Sequence, residues 1–238
     1  MLLFENFNDP VGLIIRILVL LMALVLHEIA HALVAYWNGD PTAKNMGRLS
    51  PNPLVHLDPI GTMMILFAPV GWAKPVPVNP NNFTKLRRGI FTVAIAGVTV
   101  NLILSFFSVP LFLLFNNVFI RMAVPGSVWL AIAQVFRQFF LISMVLNLGL
   151  VIFNLLPIFP LDGFRVVESF THHRNPYCVF MRKYGRFIFF GLILWGVVVS
   201  ELLPMLGVDL WFLNPFYYFI WLMDAILWVF LQFWGLMI

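Results

Sequence analysis

Long apolar stretches separated by short polar ones dominate the pattern of this chain. The first runs from Val11 to about Trp37, broken near its start by Arg16 and later by His27, Glu28 and His31 within LMALVLHEIAHALVAY. A polar stretch rich in Pro and Asn follows from Asn38 to Asp58, and then a short apolar piece, Pro59 to Val70, that leads into GWAKPVPVNPNNF. Gly89 to Asn116 and Gln138 to Pro160 carry no charge at all, and Phe187 to Ser200 and Leu210 to Ile238 complete the set, the last broken by Asn214-Pro215 and Asp224. A hydrocarbon core about 30 Å thick takes about 20 apolar helical residues to cross. The pattern therefore predicts an all-α polytopic membrane protein of about five transmembrane helices. Pro59 to Val70 is too short to span, so a re-entrant or β-hairpin loop region is expected between the first and second spans. No repeat or soluble module interrupts the pattern. Residues 1–238 are expected to form a single membrane-embedded domain, with a core over about 11–165 and additional C-terminal helices over about 184–238.

Composition agrees. Of 238 residues 62% are hydrophobic and only 10% charged, far from the usage of soluble domains. The net charge of +4 comes from Lys and Arg gathered in a few loops, which suits contact with anionic lipid headgroups and argues against nucleic acid as a partner. Cys178 is the single cysteine, which excludes an internal disulfide and a cysteine-based metal cluster. MLLFENFNDP carries acid rather than base, so no cleavable signal peptide is expected and the first run stays in the mature chain. Lys74, Lys85, Arg87 and Arg88 precede the second span, and Arg165, Arg174, Arg182, Lys183 and Arg186 lie between the third and fourth. Both loops are expected on the cytoplasmic side, which holds only if Pro59 to Val70 does not cross. Arg16 and Arg137 then fall near outer span ends, where they can snorkel outward.

The polar residues inside the first run need a reason, because ionisable groups in hydrocarbon are costly. His27, Glu28 and His31 spell H-E-x-x-H, and on a helix the two imidazoles stand one turn apart on one face. That spacing suits a zinc ion. Catalytic zinc takes three protein ligands and keeps a position for water, whose pKa falls towards about 7. Glu28 adjoins the pair and can take a proton from that water and hand it to the leaving nitrogen. Two core histidines satisfied by hydrogen bonds are the bland alternative.

A third ligand should lie at the depth of His27, about 24 Å along the helix from Val11 at about 1.5 Å per residue. Asp162 qualifies: it ends NLLPIFPLDG, where Pro157 and Pro160 remove two donors and force the backbone to unwind, with Gly163 permitting the turn after it. Irregular backbone at membrane depth is tolerated where it lines a cavity, so the break predicts one. By spacing alone Asp162 could equally be an ordinary helix-end residue.

HEIAH, GRLSPNPLVHLDPIGT, GWAKPVPVN and NLLPIFPLDG, in that order over residues 23 to about 165, resemble the site-2 protease family of intramembrane zinc metalloproteases. The chain resembles its compact branch, without PDZ or CBS modules. The resemblance implies one zinc ion (Zn2+) held by His27, His31 and Asp162, with Glu28 as general base. Asn154 would orient the substrate or stabilise the oxyanion, although a membrane Asn more often bridges helices. The implied partner is a transmembrane protein or signal-peptide substrate in the lipid bilayer, cut within or near its span. An integral multi-pass protein of a prokaryotic plasma membrane is expected, with its active site towards the cytoplasmic side. The chain departs from the family pattern at Val98 and Phe159, where prolines are usual; Asn101 remains and is expected near the substrate. Alternatives are a membrane protein that passes a cation without hydrolysis, and an inactive scaffold relative.

Prolines at alternate positions of Lys74 to Asn79 remove the donors of one edge, leaving those of Val76 and Val78. These two are expected to bind an unwound substrate as an added strand, in a hairpin formed with residues 47–58; a hairpin that only shields the metal is the alternative. His56 and Asp58 are read as structural, His172 and His173 as solvated. Asp224, a charge within the last span, is a functional candidate with no assigned partner.

Overall fold

The structure is a computed structural model and describes residues 9–59, 61, 73–171, 174–208 and 210–235. Asp9 caps the first helix, α1 (Pro10–Trp37), by accepting from the Gly12 amide at 2.9 Å, with Pro10 in the first turn, where a missing N–H costs nothing. A one-turn helix, α2 (Thr42–Asn45), follows. Next comes α3 (Leu86–Met122), helical throughout, with a wider turn over Phe115–Phe119. The remaining helices are α4 (Val128–Asn154), α5 (Asp162–Phe170), α6 (Pro176–Met205) and α7 (Pro215–Gly235). Five of these, α1, α3, α4, α6 and α7, are long and apolar enough to cross a membrane. This is the all-α polytopic architecture that the apolar runs predict.

A short turn folds α3 and α4 into an antiparallel hairpin, and α1 packs against both. Val98 and Val109 of α3 meet Met144, Leu148, Val151 and Ile152 of α4, and Leu227 of α7 closes the cluster. Hydroxyls fasten the hairpin inside the membrane: Ser105 donates to the Met144 carbonyl at 2.7 Å and Ser108 to the Ser143 hydroxyl at 2.8 Å. Small residues allow this close approach without a hydrophobic driving force between the helices. α3 continues without a break through Val98, where the family pattern has proline. Outside this hairpin, α6 and α7 are largely exposed.

Three boundaries differ from the apolar runs. The third spanning helix starts at Val128 rather than Gln138, because Ser127 caps it by accepting from the Leu130 amide, and it carries Arg137 within the helix. The fourth spanning helix starts at Pro176 rather than near Phe187, because Asn175 caps it by accepting from the Tyr177 amide and Arg182, Lys183 and Arg186 are carried on about three extra turns. Charge ends an apolar run without ending a helix. α3 likewise extends past Asn116 to Met122.

The loop between α1 and α3 departs from the expected hairpin. Among the described residues there is no strand; Leu57 and Ala73 form a single antiparallel bridge, joined by a bond from the Lys74 amide to the His56 carbonyl at 2.8 Å. The predicted re-entrant piece, Pro59 to Val70, lies outside the described residues apart from Pro59 and Gly61. Two buried charges organise the loop where a ladder of strand bonds would have done so. Arg48 donates to the carbonyls of Val55, Lys74 and Pro75. Asp40 has no exposed surface and accepts from the Asn79 amide, the Asn82 side chain and Thr42. Burial pushes the Asp40 carboxyl up, but these bonds outweigh it and hold the group below the ordinary carboxylate range. Residues 74–82 are thereby tied to the end of α1, one turn and a half beyond His31.

Candidate metal centre

His27 and His31 project from one face of α1, and their Nε2 atoms lie 2.9 Å apart. Asp162, the first residue of α5, places Oδ2 at 3.2 Å from both. Tetrahedral coordination with bonds of about 2.0–2.1 Å has edges of about 3.3 Å, so the three donors already approximate one face of such a site. Each imidazole is fixed from behind: His27 Nδ1 lies 3.1 Å from Asn101 Oδ1, and His31 Nδ1 lies 2.7 Å from the Val93 carbonyl. Both partners are acceptors, so Nδ1 carries the hydrogen and Nε2 offers its lone pair to the centre. Asp162 Oδ2 is buried and, among the described residues, accepts no hydrogen bond. Two lone pairs and an unsatisfied carboxylate oxygen facing one another would be repulsive alone; a divalent cation resolves the conflict, and the donor set fits one.

The unwound segment between α4 and α5 delivers Asp162. α4 ends at Asn154, and the chain turns through Ile158 N–H to Leu156 O and Leu161 N–H to Ile158 O, each 2.8 Å, before α5 begins. Gly163 serves differently from the turn expected of it. It has no positive φ; instead a Cβ there would sit 2.2 Å from the Leu155 carbonyl oxygen, so its lack of a side chain lets α5 start against the end of α4. From outside, α6 braces the segment: Tyr177 donates to the Pro157 carbonyl and Arg182 pairs with Glu168 of α5.

Gly97 is the residue that sequence reasoning passed over. A Cβ there would lie 2.4–2.6 Å from three ring atoms of His27. Its signal was present in IAGVTVN, small residues one turn before Asn101 on an apolar helix. Gly97→Ala is expected to push the His27 ring off the centre and weaken metal binding by about 10–100-fold, read by competition with a chelator. Wild-type affinity would show that the ring has room to move.

Glu28 is partly buried and turns its carboxylate towards the loop, where Oε2 accepts from the Val76 amide at 3.0 Å. The Val76 donor expected to stand open for a substrate is thus engaged by Glu28. Val78 lines the same cavity as Val76. Asn101 is fully buried behind His27, its Oδ1 3.1 Å from His27 Nδ1. Asn154 lines the cavity and its Nδ2 donates to Leu150 of its own helix at 3.0 Å; among the described residues it bridges no helices. His56 is buried, 2.9 Å from the Ser50 carbonyl and apart from the donor triad. Asp224 is exposed on α7 and lies outside the cavity. His172 and His173 lie outside the described residues.

The centre opens on a cavity of about 1210 Å³ between α1, α4, α6 and α7. Its walls are mainly aliphatic and aromatic, with Arg16 towards one end and Arg165 and Arg186 beside the segment that bears Asp162. Arg16 faces this space, where an outward-snorkelling anchor was expected. Eleven residues separate it from His27, about 17 Å along a helix.

Fold and donor set together describe a multi-span membrane protein with a group of side chains that could hold a metal ion. Peptidase family M50 matches residues 15–195, and the chain belongs to that family. It is 46% identical over 153 residues to the Bacillus subtilis (strain 168) protein named "Putative zinc metalloprotease YwhC", an alignment covering 64% of this chain and 67% of that one. It is 29% identical over 162 residues to "Putative zinc metalloprotease Rip2" of Mycolicibacterium smegmatis (strain ATCC 700084 / mc(2)155), covering 66% of this chain and 56% of that one. No solved structure matches the chain.

Proposed function

We propose that this protein is a zinc endopeptidase that hydrolyses a peptide bond within or near the transmembrane segment of another membrane protein. The observation that carries the reading is the convergence of His27, His31 and Asp162, each imidazole aimed by an acceptor behind it. When bound there, zinc supplies Lewis acidity, which makes a water acidic near neutral pH and polarises a carbonyl. Glu28 takes the proton of the attacking water and delivers it to the amide nitrogen as the C–N bond breaks. Asn154 is positioned on the cavity wall to orient the substrate backbone; its amide has a second N–H beyond the one given to Leu150.

The cavity is large and apolar enough to take a stretch of peptide chain. Small-ligand pockets run to about 1,000 Å³, and this space is larger, elongated along α1 and apolar. An unwound stretch of a substrate helix needs partners for its exposed amides, and the loop around Val78 is the available polar edge. Regulated release of membrane-tethered proteins and clearance of signal-peptide remnants both present such a segment. Basic residues at the start of α3 (Lys85–Arg88) and over α5 and the first turns of α6 (Arg165–Arg186) support a centre towards the cytoplasmic side of a cell membrane.

The test is metal analysis of the purified protein beside a cleavage assay on a panel of single-span substrates. One zinc per chain and cleavage inside or next to the span are expected. Stoichiometric zinc without cleavage of any substrate would favour a cation-handling role instead.

A further inference from the structure

One peptide unit joins a buried cation to Glu28. Arg48 is 5% exposed, and among the described residues it has no carboxylate partner. Its guanidinium instead donates to three carbonyls: Val55, Lys74 at 3.4 Å and Pro75 at 3.2 Å. The carbonyl of Pro75 and the amide of Val76 belong to the same peptide group, and that amide donates to Glu28 Oε2 at 3.0 Å. The order is therefore guanidinium, carbonyl oxygen, amide hydrogen, carboxylate. Positive and negative charges sit at the matching ends of the peptide dipole, and bonds in such a chain polarise one another.

We propose that Arg48 is a positioning residue for Glu28, acting through the Pro75–Val76 peptide. The proposal rests on the reading of Glu28 as general base. A carboxylate on a helix can rotate about three side-chain bonds, and the Val76 amide pins one of its oxygens. Arg48 in turn holds the carbonyl of that peptide through one Nη2 N–H, and the guanidinium is itself fixed in place because Nη1 donates to the Val55 and Lys74 carbonyls. Flanking residues reinforce this, because Pro75 and Pro77 have no amide with which the segment could find another partner. Val76 itself is 7% exposed and packs against Ala32 and Ala43. The side chain seats the segment, and Arg48 sets its rotation.

A merely structural Arg48 would affect folding or substrate affinity; a positioning Arg48 affects turnover through Val76. Arg48→Gln is expected to lower kcat by about 10–100-fold, the loss that follows when a reacting group is misplaced by about 1 Å. KM should stay within about threefold and zinc content should match the wild type. Exchange of the Val76 amide, followed by NMR, should accelerate at least about tenfold in Arg48→Gln yet not in Glu28→Gln, whose side-chain carbonyl still accepts. Val76→Pro deletes the connecting N–H. Because both variants cut one chain of bonds, the double variant should be no slower than Val76→Pro alone. Multiplying losses, or wild-type kcat in Arg48→Gln beside an inactive Glu28→Gln, would overturn the proposal and leave the general base standing. Retained cleavage by Glu28→Gln would sink the general-base reading instead, whatever Val76 exchange shows. Should Arg48→Gln not fold, Arg48→Lys keeps the charge and loses the fork. An intermediate kcat that does not multiply with Val76→Pro supports the role, and a multiplying loss overturns it.

Discussion

Glu28→Gln should lose peptide cleavage by about 10²–10⁴-fold, the usual worth of a positioned general base, while retaining zinc. The two halves of that expectation have separate origins in the structure. Loss follows because glutamine cannot accept a proton from water at neutral pH. Retention follows because Glu28 lies outside the donor triad of His27, His31 and Asp162. The amide side chain can still accept the Val76 N–H through its own carbonyl oxygen, so the loop that covers the centre need not move. Turnover of a single-span substrate and the zinc content of the same preparation are the measurements. Cleavage above about a tenth of wild type would remove Glu28 from the mechanism, and loss of zinc together with activity would mean that it supports the metal.

Asp162→Ala should lose both zinc and activity, yet the metal-free chain should fold as well as metal-free wild type. The carboxylate supplies one of three donors, and two imidazoles alone leave a site that competes poorly with water and chelators. Stability behaves differently, because among the described residues Asp162 Oδ2 accepts no hydrogen bond and its removal orphans no buried donor. Cost of the kind seen when a bonded partner is deleted, about 1–3 kcal/mol, is therefore not expected. Zinc content by elemental analysis and thermal unfolding of both metal-free proteins test the two parts. Full zinc occupancy in Asp162→Ala would show that the third donor comes from elsewhere. A large fall in the metal-free unfolding temperature would show that Asp162 holds the fold as well as the ion.

How much of this was legible in the chain depends on whether the signal is local. Pairing of His27 with His31 is a one-turn relation, and helical periodicity alone puts them on one face. Pro157 and Pro160 announce a break before Asp162 wherever the segment lies. Arg48 shows the opposite case. Among Asn, Pro and Ser in a polar loop it looks like an ordinary solvated charge, and only folding reveals that the carbonyl of Val55 and those of the more distant Lys74 and Pro75 meet it. Val76 was chosen for its free donor by strand periodicity, but Glu28 claimed that donor because α1 and the loop cross at that residue. Asn101 was placed beside the substrate by resemblance; the close approach of α3 to α1 at Gly97 sets it behind His27.

By itself the chain determined its solvent, the number and order of its crossings, and the chemical character of its centre, because hydropathy and one-turn spacing are written residue by residue. Only the tertiary structure decided which acceptors aim the imidazoles, which amide holds Glu28, and what the prolines of the loop are for. Those outcomes depend on the distance and rotation between elements up to 74 residues apart, set by how small side chains let the helices approach, and no local pattern records such a quantity.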